Sequence, residues 1–191
     1  YLPPYQSHNK ILLSDLLGVA IAQLQPSPQF IRAVVAQRSI KEEQELVQIE
    51  EALRISVDMH RLAMQLTKPG MRERDVANAI RHQAASQGAP LAYPPIVTVH
   101  GEILHNSYQL HTLQEGQLLL NDSGAETAMG YAGDLTRTFP VGKRFTQKQR
   151  EIYDVVLQSF SSARELLRPG IAFKDIHLRA CESLVEGLIG L

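Results

Sequence analysis

Apolar positions follow two different periods along this chain. Between Ser39 and the "KPG" at 68–70, Leu46, Ile49, Leu53, Val57 and Met64 form one helical stripe, and Ile55, Met59, Leu62 and Leu66 form a second. Ser39 with Glu42 has the spacing of a capping box. A helix apolar over so wide an arc is expected to be buried on more than one side. Upstream, residues 9–24 carry a helical pattern, "QPSPQ" at 25–29 reads as a turn or linker, and "FIRAVVAQ" is a short apolar segment. A second helix is predicted from about Glu73 to Gln87, after which "GAPLAYPP" leads into strands. There the period drops to two: Leu118 to Asn121 reads as a strand, Glu126 to Gly130 as a turn, and Tyr131 to Phe139 as a second strand. Thr146 with Gln149 predicts another cap, opening a helix that runs to Leu167. "RPG" at 168–170 ends it, and a last amphipathic helix starts near Lys174.

The two helix endings repeat. "QLTKPGMRERDVANA" at 65–79 and "ELLRPGIAFKDIHLR" at 165–179 align at an offset of 100 residues. Leu66, Pro69, Gly70 and Asp75 recur as Leu166, Pro169, Gly170 and Asp175. Helix, Pro-Gly, helix is a common way to turn a chain, yet identities held in one register across both helix ends favour a duplication. The first copy is followed by strands and a hairpin, residues 91–138. In the second copy the corresponding strands would begin where the sequence reaches Leu191.

Composition narrows the class. With 191 residues, 44% hydrophobic and 20% charged, the chain is globular in character. A net charge of −1 provides no field for nucleic acid or an anionic membrane. The lone Cys181 excludes an internal disulfide and a Cys-rich zinc knuckle, and fits a reducing, cytoplasmic setting. No apolar run approaches the ~20 residues that span a bilayer, and "YLPPYQSHNK" lacks the plan of a signal peptide. It also lacks an initiating Met, so the true N-terminus is expected upstream.

The candidate chemistry lies in "LLLNDSGAETAMGYAGDLTRTFP", residues 118–140. Folded about its midpoint, this hairpin sets Asp122 opposite Asp134. Facing side chains on paired strands sit about 5 Å apart, and like charges there destabilise a sheet. A divalent cation between them, a shared proton, or a different register would relieve the conflict. Most aspartates beside glycine are turn residues in solvent, but Asp122 follows an apolar run expected to point into a core. Oxygen ligands favour Mn²⁺ or Mg²⁺, and added imidazole shifts the choice toward Mn²⁺, Fe²⁺, Co²⁺ or Zn²⁺. Thr136 shares the face of Asp134 and could steady a carboxylate ligand. His60, His82 and His177 fall in predicted helices and read as surface or satisfied core residues. His100, His105 and His111 cluster in sequence; a three-histidine metal site is conceivable, but no HExxH pair supports it. Cys181, among Leu178, Leu184 and Val185, reads as a buried small hydrophobe. There is no serine nucleophile elbow and no phosphate loop.

The segment "LLLNDSGAE…GYAGDLTRTFPVGKRFTQKQREIY" resembles the metal-binding hairpin of the aminopeptidase P and prolidase family, metallopeptidases of the pita-bread fold. The resemblance covers about residues 39–191, and "GDLTRTFPVGKRFT" is its most specific part. Methionine aminopeptidases share the fold and both aspartates, but "TRTFP" is closer to the proline-specific branch. "NDSG" replaces the usual "IDAG", and the hairpin turn is one residue longer than is common. The resemblance implies an α+β pita-bread fold of duplicated halves around a curved antiparallel sheet, the second half incomplete here. Residues 1–38 would be the tail of an N-terminal domain plus linker, and 39–191 the first part of the catalytic domain. It implies a Xaa-Pro aminopeptidase acting through a dinuclear, metal-bridged hydroxide, the metal often manganese in the family, with Co²⁺ or Zn²⁺ as substitutes. Asp122 and Asp134 match the first two metal ligands. His105, in "EILH" at 102–105, matches the histidine that contacts substrate and developing oxyanion. A histidine and two glutamates that complete the family's ligand set are expected downstream of Leu191, so residues 1–191 alone are expected to be inactive. A peptide with proline at its second position as substrate, and a homodimer, are further implications. A Xaa-Pro dipeptidase and a non-catalytic peptide-binding module are the rival readings.

Overall fold

The computed structural model describes residues 6–191, which divide into two compact units at Val47/Gln48. In the first unit lie α1 (Ser7–Leu17), a single 3-10 turn at Ile21–Gln23, and α2 (Pro28–Ser39), none with a buried residue. The helix expected over 9–24 stops at Gly18, whose φ of 63° gives the left-handed cap that glycine adopts without cost. "QPSPQ" is not a linker but a helix start: the Ser27 hydroxyl accepts from Phe30 N and Pro28 occupies the first turn. Ser39 does not cap the long helix. It closes α2, its hydroxyl donating back to Val35 O, and α3 begins beyond it at Glu43 with the Glu45 carboxylate accepting from Glu42 N.

The second unit holds the core. It contains the rest of α3 (Glu43–Leu66), α4 (Glu73–Ser86), three strands β1 (Ile96–Thr98), β2 (Leu118–Ser123) and β3 (Leu135–Pro140), then α5 (Gln147–Glu165) and α6 (Phe173–Ile189). The strands form one antiparallel sheet in the order β1-β2-β3, an α+β arrangement as expected. Ile55, Met59 and Ala63 of α3 and Val76, Ala77, Ile80 and Ala84 of α4 pack with Val97, Leu119, Phe139 and Val141. Only the second stripe of α3 enters this core. Leu46 and Met64 of the first stripe stay exposed, because the buried face is the one where small residues Ala52, Ser56 and Ala63 admit a close neighbour. That neighbour is the hairpin: a Cβ on Gly133 would stand 2.4 Å from Ser56 Oγ and 2.9 Å from Ala52 O.

The hairpin register differs from the sequence expectation. Asp122 pairs with Thr136, and Ser123 with Leu135. The loop is Ala128–Met129–Gly130, bounded by Thr127 N donating to Tyr131 O and by the Glu126–Ala132 bridge. Gly130, at φ 80°, supplies the left-handed residue that ends a three-residue hairpin loop. The pivot is therefore Met129, one residue past the assumed midpoint, and Asp134 becomes a diagonal rather than a direct neighbour of Asp122. Because the slip moves the pairing by two, both aspartates keep one face. On β2, Leu119, Asn121 and Ser123 are buried, whereas Leu118, Leu120 and Asp122 alternate onto the half-buried side. The apolar run thus points into the core only at Leu119.

The two Pro-Gly turns are copies in three dimensions. Gly70 and Gly170 have φ of 89° and 87°. Met71 N donates to Lys68 O and Ile171 N to Arg168 O, while Asp75 N donates to Arg72 O and Asp175 N to Ala172 O. The Thr146–Gln149 capping box opens α5 as expected. The α5–α6 pair closes through small buried residues, Ser159, Ser162 and Ser183, with Ser159 Oγ donating to Ala180 O. Cys181 is exposed rather than buried, since Ser183 occupies the inward position; its sulfur lies 3.6 Å from His177 Nε2. Among the described residues no helix is long and apolar enough to cross a membrane.

Candidate metal centre

The aspartates converge on a third side chain that the sequence did not single out. Leu91 bridges to Ala125, Ala92 N donates to Gly124 O, and Glu126 N donates to Pro90 O. These bonds lay "GAPLAYPP" along the hairpin and aim Tyr93 at it. The Tyr93 hydroxyl lies 2.7 Å from Asp122 Oδ1 and 2.9 Å from Asp134 Oδ1. The two carboxylate oxygens are consequently no farther apart than the sum of those distances. Burial, followed by the hydrogen bonds to both aspartates, pushes the phenol far above its ordinary pKa. The only sequence signal for Tyr93 was an aromatic hydroxyl fixed by the following Pro94-Pro95, which by itself does not distinguish a ligand partner from a turn.

A phenol has one hydrogen to give. Facing two carboxylates, Tyr93 can donate to only one of them at a time, and the second contact is left without a proton of its own. Placed beside the pair, a divalent cation makes up that shortfall, so the donor set fits a hard or intermediate metal ion. Asp122, Asp134 and Tyr93 line a cleft of about 380 Å³ together with Pro94, Ile96, Ser107 and His105. His105 is exposed and has φ 56°, a left-handed conformation rare outside glycine. Thr136 stands across the strand pair from Asp122. Among the described residues no three His, Cys, Asp or Glu side chains come together to hold a metal; the aspartates are a pair.

The three-histidine site does not form. His111 Nδ1 lies 3.1 Å from Glu73 Oε2, and His100 Nδ1 lies 2.9 Å from Glu102 Oε1, their rings tilted at 4.6 Å. His105 instead joins the aspartate cleft. His60 is a satisfied core residue, as expected: Asn121 Nδ2 donates to Nδ1, and Nε2 donates to Ser123 O, each at 3.1 Å. Burial lowers its pKa, the largest cause, partly countered by the Ser123 carbonyl. His60 thus braces the buried face of β2 on either side of Asp122. His82 and His177 are exposed.

A mixed helix-and-sheet unit thus presents paired carboxylates on a hairpin, a donor set suited to divalent ions. Residues 47–191 match Metallopeptidase family M24, and the chain belongs to that family. It is 38% identical over 159 residues to the Xaa-Pro aminopeptidase of Escherichia coli strain K12, covering 81% of this chain and 35% of that protein. Two solved structures superpose with TM-score 0.76 at 38% identity, each covering 79% of this chain and 35% of its counterpart. They are a proline aminopeptidase P II from Yersinia pestis and a zinc-substituted Escherichia coli aminopeptidase P in complex with product. The chain therefore has the pita-bread fold of aminopeptidase P and spans about a third of the length of these relatives.

Proposed function

We propose that the protein is a metallo-aminopeptidase that hydrolyses the bond between an N-terminal residue and a following proline. The observation that carries this reading is the convergence of Asp122 and Asp134 on the single Tyr93 hydroxyl, in a cleft shared with His105. Its relatives named Xaa-Pro aminopeptidase support the substrate class. Asp122 and Asp134 would hold divalent ions, two in number and manganese by preference, with Co²⁺ or Zn²⁺ able to substitute. When bound, these ions would supply Lewis acidity at the scissile carbonyl and lower the pKa of an attacking water. His105 donates a hydrogen bond to charge developing on that carbonyl oxygen. Tyr93 orients the two carboxylates, and Thr136 steadies Asp122 from the adjacent strand. Residues 1–38 are read as the tail of a preceding domain, and the working enzyme as a cytoplasmic homodimer.

The test is hydrolysis of peptides with proline second, by metal-free full-length protein supplied in turn with Mn²⁺, Co²⁺ and Zn²⁺. Turnover restored by metal, on tripeptides and longer chains, supports the aminopeptidase reading. Turnover confined to dipeptides assigns a dipeptidase, and metal binding without turnover assigns a binding module.

A further inference from the structure

Residues 100–110 leave the sheet after β1, carry His105 past the cleft, and return before β2. Apolar burial does not hold this excursion: Ile103, Leu104, Tyr108 and Leu110 are 54%, 85%, 75% and 71% exposed. Hydrogen bonds hold it instead, and both of its ends meet one side chain. Glu73, the first residue of α4, is fully buried. Its Oε1 accepts from Val99 N at 2.9 Å, where the excursion departs. Its Oε2 accepts from His111 N at 3.0 Å, where the excursion returns, and from His111 Nδ1 at 3.1 Å. Glu73 N completes the ring by donating to His111 O. A carboxylate is tolerated in a core only when its oxygens are satisfied in this way. Midway, buried Asn106 donates to Thr98 Oγ1, fixing the neighbour of His105. The left-handed backbone of His105 persists only where its surroundings enforce it.

We propose that Glu73 is a positioning residue: its buried carboxylate staples the two ends of the 100–110 excursion, and so presents His105 to the cleft of Asp122 and Asp134. This rests on the role proposed for His105 above. Glu73→Gln keeps the volume but turns an amide NH₂ toward donors that need acceptors.

The experiment compares full-length wild type, Glu73→Gln, His105→Ala and the double variant. Peptide turnover, Mn²⁺ affinity by calorimetry, and amide hydrogen exchange at Val99 and His111 are measured for each. Glu73→Gln is expected to lower kcat about 10- to 100-fold through misplacement of His105, to leave Mn²⁺ affinity unchanged, and to speed exchange at both amides. Added to His105→Ala, it is expected to cost nothing further, because both changes remove one contribution. A full further loss on the His105→Ala background overturns the proposal, as do wild-type exchange and turnover in Glu73→Gln. Wild-type turnover by His105→Ala overturns the role of His105 itself, which is a separate failure. Glu73→Asp, which keeps the charge but shortens its reach, is the second variant should Glu73→Gln not fold, with the same expected and overturning results.

Discussion

Gly133→Ala adds one methyl group where the hairpin crosses α3. Gly133 is not left-handed, so the cost is one of space alone. The new Cβ would meet Ser56 Oγ at 2.4 Å and Ala52 O at 2.9 Å, both inside the closest approach of real Cβ atoms. Ser56 cannot turn aside freely, since its hydroxyl donates to Ala52 O and accepts from Ala125 N. Rotating it strands the amide of a wholly buried residue, at about 1–3 kcal/mol. Pushing α3 away instead is overpacking, also about 1–3 kcal/mol. One route alone sets a floor near 1 kcal/mol and both together a ceiling near 6, with about 3 kcal/mol expected. In a chain of this size that lowers Tm by about 6–12 °C. Urea unfolding of the metal-free protein, with an unchanged m-value, measures it. Ser56→Ala combined with Gly133→Ala should cost less than the sum of the two, because both disturb one hydroxyl. A loss below about 0.5 kcal/mol, the range of neutral surface changes, would refute the reasoning that the hairpin is seated by close packing at this glycine.

Four further outcomes are expected. Tyr93→Phe should weaken Mn²⁺ binding about 10- to 100-fold by calorimetry, because the carboxylates lose the group that orients them. Asp134→Asn should abolish metal-dependent hydrolysis while metal-free stability holds or rises, since the repulsion with Asp122 is relieved; thermal unfolding in chelator checks this. His60, with its pKa lowered by burial, takes up a proton more readily when unfolded, so stability should fall as pH drops below about 6.5, the ordinary histidine value; urea midpoints in His60→Gln should be flatter across that range. Among the described residues only two carboxylates converge, so residues 1–191 taken alone should bind Mn²⁺ weakly by calorimetry, because such an ion takes about five or six ligands.

How much of this was readable from the residues depends on the range of the interactions. The positions of α3 to α6, the Thr146 cap and the Pro-Gly duplication rest on local periods and spacings and stand as read, whereas the Ser39 cap and the burial expected for both stripes of α3 do not. Boundary errors occur where a single residue chooses between local alternatives, and the burial errors, at the first stripe of α3 and at Cys181, turn on which neighbour packs there. Gly18 can be helix or cap, Ser27 and Ser39 can each cap, and a turn in "ETAMGYAG" can pivot at either of two positions. The aspartate pair was legible because a period of two survives a register shift of two. Tyr93 and Glu73 were not, because their partners lie 29 to 41 and 26 to 38 residues away, and only the folded chain brings them together.

Asp122 and Asp134 are proposed to hold the metal. Anomalous diffraction from crystals of the full-length protein grown with Mn²⁺ tests it most directly. Density is expected between the two carboxylates, with both aspartates within about 2.0–2.4 Å of an ion and the Tyr93 hydroxyl still bonded to a ligand oxygen. Manganese bound instead at His100, His111 and Glu73, with the aspartate cleft empty, would contradict it.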